Sequence, residues 1–286
     1  MYRSTMNLRG TLLRHLIAAG LVAGAGFGVA SGQQTKIGAG HAPLSRFAVG
    51  LHVGGVLTTS SADFDSFPGV ESCIGAQSPS RYSAGSGGGF EVAAMLALNP
   101  AMGSGFVSHL GGDLRIGFSS SSTGFGADEG IGQTANAAGE PVPVVAHYAL
   151  TGRLSELSIE PAVAYRLSSE APLHLRLGLR MGYLLGGTYD YEEQIASPGG
   201  ATFGDGSTTR NPQSGDMTGL RKLQMGLTAG IGYEIGLGGS LALRPELSAL
   251  VGFQSPVNGL TWKPSEIRLG LSVLYTLPHE ESSPLE

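Results

Sequence analysis

The residues with the clearest capacity for acid–base chemistry are two histidines, His109 and His147. A lipase or acyl hydrolase needs a serine nucleophile, a histidine base and an acid that converge in space. Neither histidine lies at a spacing from a serine and a carboxylate that is typical of such a triad. We therefore expect no catalytic residue. His52 and His174 alternate with apolar neighbours, which favours a packing role for both.

Two further segments have the residue types of a ligand site. Residues 189–193 contain three carboxylates, a chemistry that suits hard cations, but we interpret them as the acidic, solvated base of a loop. The glycines of residues 87–89 lack the strand–loop–helix context of a phosphate-binding motif. The sequence therefore predicts no metal and no cofactor.

The composition departs from that of an ordinary soluble protein. Only 14% of the residues are charged, against roughly 25% on average, and 47 of the 286 are glycine. No run after the N-terminal region is long and apolar enough to cross a bilayer as a helix. The net charge of −5, without a basic cluster, gives no reason to expect nucleic acid as a partner. This combination is typical of membrane barrels, in which apolar residues are spread by alternation.

The N-terminus has the pattern of a secretory signal. Arg3, Arg9 and Arg14 precede an apolar stretch at residues 16–29, and small residues follow before the chain becomes polar at Gln33. The alternative is an uncleaved anchor, but the stretch is shorter than the ~20 residues of a membrane span. We expect cleavage near Gly32, with residues 1–32 removed. No cysteine lies directly after the apolar stretch, which argues against lipoprotein anchoring.

Alternation of apolar and polar residues recurs along the rest of the chain. Because successive side chains of a strand point to opposite faces, this period of two predicts strands with one apolar face. About eight segments show the pattern: residues 47–54, 90–98, 110–118, 157–167, 173–185, 225–235, 241–253 and 267–277. Most of them reach or approach the ~9–11 residues that a tilted strand needs to cross hydrocarbon.

The connections alternate in length. Residues 59–84, 119–146 and 187–222 are long and polar and 254–264 is shorter, whereas 99–104, 168–172 and 236–240 are short. Bacterial outer-membrane barrels have long external loops and short periplasmic turns. We therefore predict an antiparallel barrel over residues 45–277, with 33–44 and 278–286 in the periplasm. Cys73, the single cysteine, falls in the first long connection and is expected outside the cell as an unpaired thiol.

The predicted faces divide the side chains by chemistry. With about eight strands the interior is only wide enough to be filled by side chains, and inward-facing glycines are expected to leave room for large arginines. The charged residues on the inward face are Glu91, Arg115, Glu160, Arg166, Arg176, Arg180, Glu234, Arg244, Glu246 and Arg268. The aromatic residues near strand ends on the apolar face, expected as an interfacial girdle, are Phe47, Phe118, Tyr165, Tyr183, Tyr233, Phe253 and Tyr275.

The C-terminal half resembles a known family. Residues 227–235, 243–253 and 267–275 are similar to the closing strands of the outer membrane protein β-barrel domain family, which includes porin-family proteins and OmpA-like N-terminal barrels. The resemblance implies an eight-stranded barrel in a Gram-negative outer membrane, with no enzymatic residues. Two features depart from the family: the chain does not end on an aromatic residue, and the nine residues after Leu277 cannot form a peptidoglycan-binding domain.

Three function classes follow from this interpretation. The favoured one is an integral barrel with a filled lumen and a structural or surface-interaction role, exported to the outer membrane and acting as a monomer. The second is a small porin-like channel, and the third is a lipid-modifying enzyme. The expected partners are outer-membrane lipids, lipopolysaccharide, the barrel assembly machinery and an extracellular ligand of unspecified nature.

Overall fold

The computed structural model describes residues 47–71, 81–98, 106–167 and 172–277. The predicted signal peptide at 1–32, the segment at 33–44, Cys73 and the tail at 278–286 lie outside the described residues. Within the described residues, no helix combines the length and the apolar character that a membrane span requires.

The described chain is built almost entirely of strands. One turn of 3₁₀ helix at Phe106–His109 is the exception among the described residues. The strands are β1 Phe47–Phe64, β2 Tyr82–Leu98, β3 Leu110–Ala135, β4 Pro141–Arg166, β5 Leu173–Ser197, β6 Thr209–Asp216, β7 Leu223–Tyr233, β8 Ile235–Gly238, β9 Leu241–Gly252 and β10 Thr261–Thr276.

Eight of these strands form a closed antiparallel ring. The order is β1–β2–β3–β4–β5–β7–β9–β10, and β10 returns to β1 along a continuous register from Ala48 with Thr276 to Asp63 with Thr261. The short strands β6 and β8 pair with the ends of β5 and β9 outside the ring. Closure removes the free strand edges that hydrocarbon does not tolerate. The predicted eight-stranded transmembrane β-barrel is therefore confirmed.

The two faces of the wall have opposite polarity, as predicted. On β5, Leu177 and Leu179 are exposed on the outside of the barrel, whereas Arg176 and Arg180, which flank them in the sequence, are buried. The apolar outward side chains of this strand run from Leu173 to Leu185, enough to cover the hydrocarbon thickness. The predicted girdle residues Phe47, Tyr183, Tyr233, Phe253 and Tyr275 are exposed on this surface.

The outer parts of several strands were predicted as loops, and this was wrong. In the connections predicted at 59–84 and 254–264, β1 continues to Phe64, β2 begins at Tyr82 and β10 begins at Thr261. Residues 119–146 form a hairpin in which β3 pairs with β4 and only residues 136–140 lie outside the strands. In the 187–222 connection, β5 continues to Ser197 and pairs with β6. The reason is a reversal of polarity. Beyond the membrane the outward side chains are polar, as at Asp128, while the inward ones are apolar, as at Phe125.

The long strands carry the sheet well beyond the bilayer. At about 3.3 Å per residue and a tilt near 40°, the 26 residues of β3 span about 65 Å along the barrel axis, against an apolar band of about 25 Å. We call the outer parts of β3, β4 and β5, together with β6, the projecting sheet. Because the projecting sheet continues strands of the barrel, the barrel wall extends farther from the membrane at β3, β4 and β5 than at β7, β9 and β10.

Candidate functional site

The lumen is filled in three layers that can be followed along the inward face of β1. Ala48 lies in an apolar layer at the inner end, His52 in a charged layer, and Phe64 in an aromatic layer at the outer end. All three are buried. The layering follows from period-two alternation, which aims every second residue of a strand at the barrel axis.

The inner layer is a small apolar cluster. It contains Ala48, Met95, Ala97 and Leu274, each at most 3% exposed, and Ala242 packs against it. The cluster covers the side of the lumen formed by β9, β10, β1 and β2, whereas Arg166, His174, Glu234 and Arg244 line the same end beside it.

The charged layer, which we call the lumen network, is centred on Arg176. Its Nε donates to both Asp113 oxygens at 2.9 and 3.1 Å, and its Nη1 donates to Glu160 at 2.5 Å. The Arg176 and Asp113 side chains have no exposed surface, and Glu160 has 4%. Buried charges of this kind are tolerated only where they are paired and hydrogen-bonded.

The same carboxylates are shared by other cations of the lumen network. Arg268 donates to Glu160 at 3.1 Å, and Arg180 lies 3.6 Å from the same residue. Glu91 accepts hydrogen bonds from Arg180 at 3.3 Å and contacts His52 at 3.1 Å. Salt bridges therefore cross the lumen between strands that are not neighbours in the wall.

Further ion pairs extend the charged layer. Arg115 donates from both Nη atoms to the Glu246 carboxylate, at 2.9 and 2.5 Å. Nearer the inner end, Arg244 donates to Glu234 at 2.8 Å. The prediction that inward charges of both signs fill the lumen by ion pairing is confirmed for these residues.

The inward glycines make room for side chains other than arginine. A Cβ at Gly270 would overlap the His52 ring, and one at Gly182 would overlap the Glu156 carboxyl group. Gly232 faces the ring of His174 in the same way. These glycines admit histidine and glutamate, whereas the sequence interpretation assigned the space to arginine.

The outer layer, which we call the outer aromatic cluster, was not predicted. Phe64, Tyr82, Phe125 and Trp262 are each at most 3% exposed and lie in ring contact, with Phe125 edge-on to Trp262 at 5.3 Å. The Trp262 Nε1 donates to the Ser60 hydroxyl at 3.0 Å. Tyr148, Leu150, Tyr189, Tyr191, Met217 and Val257 belong to the same cluster. It closes the lumen above the membrane.

A small cavity lies between the lumen network and the outer aromatic cluster. Its volume is about 60 Å³, and Thr58, Ser119, Glu156, Gln224 and Glu266 line it. One water needs roughly 10–15 Å³ of such space, so the cavity has room for a few waters. Arg180 of the lumen network and Trp262 of the outer aromatic cluster both line it.

The acidic segment 189–193 is not the solvated loop base that the sequence suggested. It belongs to β5, and a bulge near Leu184 shifts the alternation so that Tyr189, Tyr191 and Glu193 point inward. Glu193 has no exposed surface and accepts hydrogen bonds from the Tyr191 hydroxyl at 2.8 Å and from Arg210 at 2.8 Å. The carboxylate therefore anchors β6 against β5.

Two tyrosines of the outer aromatic cluster stay protonated over the physiological range. Burial raises the pKa of Tyr82 well above its ordinary value, and the nearby Glu193 carboxylate adds to the effect. Burial also raises the pKa of Tyr148, with contributions from Glu129 and Glu193. A neutral aromatic layer is thus maintained beside a buried carboxylate.

The structure separates the two histidines that were considered for catalysis. His109, near the inner end, donates from Nδ1 to the Arg166 carbonyl at 2.9 Å. His147 lies on the outward face of the projecting sheet, and its Nδ1 is 2.6 Å from Asp128 on β3. A base and an acid are thus side by side at His147, on the outward surface of the sheet. No group of three or more histidine, cysteine, aspartate or glutamate side chains in the described ranges could hold a metal ion.

The sequence also matches a known family, described as the outer membrane protein beta-barrel domain, over residues 30–255. The chain belongs to this family. Its location is therefore the outer membrane, and the closed ring of β1 to β10 is the barrel of that family. No curated protein shows a significant match to the chain.

Several solved structures are similar to this one. Ail, the attachment invasion locus protein of Yersinia pestis, solved with the heparin analogue sucrose octasulfate, has a TM-score of 0.35 and 11% identity over 80% of this chain and 99% of that chain. Neisserial surface protein A has a TM-score of 0.31 and 13% identity over 80% and 97%. The outer membrane protease OmpT of Escherichia coli has a TM-score of 0.31 and 10% identity over 81% and 96%.

Proposed function

We propose that this protein is a non-conducting outer-membrane barrel that supports a rigid β-sheet outside the cell for structural or surface-interaction purposes. The observation that carries the proposal is the filling of the lumen in three layers. The lumen network and the outer aromatic cluster pack across the interior, and the inner apolar cluster fills one side of its inner end. A barrel of eight strands has little cross-section to spare once such side chains are present.

The projecting sheet supplies the surface for interaction. Its outward face carries paired charges at Asp128 with His147 and at Arg153 with Asp190. Its inward face is held by the buried Glu193 and by Arg210, whose guanidinium lies 4.0 Å from the centre of the Phe203 ring. A surface fixed in this way can bind a partner at a low entropic cost.

We further propose that the protein has no enzymatic activity, because the two candidate histidines lie apart, His109 near the inner end and His147 on the outward face of the projecting sheet. The expected organisation is a signal peptide at residues 1–32, periplasmic segments at 33–44 and 278–286, and a barrel at 45–277. We propose assembly by the barrel assembly machinery, a monomeric state, and lipids and lipopolysaccharide as the surroundings.

Planar-bilayer recording tests the proposal. The purified, refolded protein should give no discrete conductance steps, whereas a porin prepared in the same way should give them. Folding of each sample is checked by its altered mobility on SDS gels without boiling, because a closed strand ladder breaks cooperatively. Reproducible steps from folded protein would show that the lumen is open and would favour the channel instead.

A further inference from the structure

The lumen network contains more acidic than basic side chains. Apart from Arg244 with Glu234, which form a balanced pair of their own, its charges are linked by contacts of at most 4.0 Å into one group of six carboxylates and four guanidiniums. The carboxylates are Glu91, Asp113, Glu156, Glu160, Glu246 and Glu266, and the guanidiniums are Arg115, Arg176, Arg180 and Arg268. His52 contacts Glu91 and, if protonated, would balance one of the two surplus charges.

The surplus of negative charge is greatest around Arg180 and Arg268. These two guanidiniums are shared among four carboxylates at 2.8–3.6 Å, namely Glu91, Glu156, Glu160 and Glu266. Arg176 also contacts Glu160, but it serves Asp113 as well. Unbalanced charge inside a protein is costly, so a bound cation or additional protons must compensate it.

Glu156 and Glu266 face the cavity between the lumen network and the outer aromatic cluster. Glu156 reaches it across Gly182, which leaves room for the carboxyl group. Glu156 and Glu266 each have 16% of their side-chain surface exposed, whereas the other four carboxylates of the group have at most 9%. These two are therefore the carboxylates that an ion in the cavity would contact.

Neutral oxygen atoms line the same cavity. Thr58 is 3% exposed, and its hydroxyl has no hydrogen-bond partner among the described residues. Thr58 lies opposite Glu266 in the register of β1 with β10. Gln224 donates from its amide nitrogen to the Arg221 carbonyl at 2.7 Å, which leaves its amide oxygen as an acceptor. Carboxylate, hydroxyl and amide oxygens are the ligands that hard cations prefer.

We propose that this cavity binds a divalent cation with the ligand preference of calcium, and that Glu156, Glu266 and Thr58 are among its ligands. Calcium takes about six to eight oxygens, waters included. The cavity, of about 60 Å³, has room for such an ion with bound water. The sequence predicted no metal, because Glu156 of β4 and Glu266 of β10 line one cavity only after the barrel has closed. The site goes beyond the proposed surface role and does not depend on it.

Terbium luminescence of the full, refolded barrel tests the site. Tb³⁺ shares the oxygen preference of Ca²⁺, and Trp262, the single tryptophan, lines the cavity. A Tb³⁺ ion bound there should therefore emit after excitation of the indole, and added Ca²⁺ should displace it. The variant Glu156→Gln/Glu266→Gln should bind Ca²⁺ about 100-fold more weakly, at about tenfold per carboxylate.

The matched control is Glu192→Gln/Asp216→Asn. It also removes two carboxylates, but Glu192 and Asp216 lie on the outward face of the projecting sheet, so Ca²⁺ affinity should change less than about twofold. Unboiled gel mobility shows that each variant is folded. Equal weakening by the two double variants, or displacement of Tb³⁺ by Na⁺ as readily as by Ca²⁺, would overturn the proposal, because the attraction would then be non-specific.

Denaturant titration separates a cation site from ion pairs that serve only to stabilise the fold. In a chelator, Glu156→Gln/Glu266→Gln should be at least as stable as wild type, because the surplus charge is gone. In Ca²⁺ the order should reverse, since wild type gains from binding. A less stable variant under both conditions would overturn the proposal. Wild-type stability that does not respond to Ca²⁺, or folded wild type without sensitised Tb³⁺ emission, would also overturn it and would indicate that protons balance the charge.

Discussion

Replacing Arg176 with methionine should lower the free energy of unfolding in lipid vesicles by about 3–5 kcal/mol, the usual cost of leaving a buried ion pair without one partner. Arg176 has no exposed side-chain surface and binds both Asp113 and Glu160. Methionine keeps most of the volume but leaves both carboxylates short of a cation. Denaturant titration monitored by the fluorescence of Trp262, the single tryptophan, gives the measurement.

The matched control is Arg153→Met on the outward face of the projecting sheet. Arg153 also pairs with an aspartate, but about half of each side chain is exposed, so the loss should stay within about 1 kcal/mol. If both variants lost the same small amount, Arg176 would be hydrated, and the lumen would not be packed as described.

Placing an arginine on the lipid-facing side of β5 should have the second largest effect. Leu177 is 57% exposed near the middle of the apolar band, and Leu177→Arg should cost about 2–4 kcal/mol because the charge enters hydrocarbon. Leu184→Arg is the comparison, since Leu184 points inward and lines the lumen cavity together with Glu156 and Glu266. The folding free energy of both variants is measured by titration into lipid vesicles.

The inward variant should be the milder of the two. Leu184→Arg gains two carboxylate neighbours and some cavity volume, although the cavity is small and the substitution crowds it. A larger loss for Leu184→Arg than for Leu177→Arg would contradict the assignment of the two faces of β5.

The sequence was sufficient for the part of the molecule that the bilayer constrains. Within the bilayer each outward position of β5 and β10 must be apolar, so the alternation identified these strands. The charged residues at the intervening positions could then be assigned to the inward face. The pairing of those charges could not be predicted, because Arg176 of β5 binds Asp113 of β3, and Arg268 of β10 reaches Glu160 of β4 across the lumen. Such contacts depend on strand tilt and register, which local alternation does not encode.

Outside the membrane, the rule that outward positions are apolar gave the wrong strand ends. The outward face of β3 and β4 becomes polar there, as at Asp128 and His147, so the search for apolar outward residues ended the strands too early. An alternation was still present there, but with the apolar residues on the inward face: Tyr148 and Leu150 alternate with His147 and Thr151 and belong to the outer aromatic cluster. At Glu193 the difficulty was the bulge near Leu184, because a one-residue shift exchanges the two faces.

Cysteine labelling on intact cells tests most directly whether the projecting sheet stands outside the cell on an outer-membrane barrel. In a Cys73→Ser background, Ala137→Cys places a thiol at the exposed turn between β3 and β4, and Gly236→Cys places one in β8 at the opposite end, where a Cβ meets open space. A membrane-impermeant maleimide should label Ala137→Cys on intact cells and Gly236→Cys only after the outer membrane is permeabilised. The reverse pattern, or labelling of both thiols on intact cells, would contradict the account.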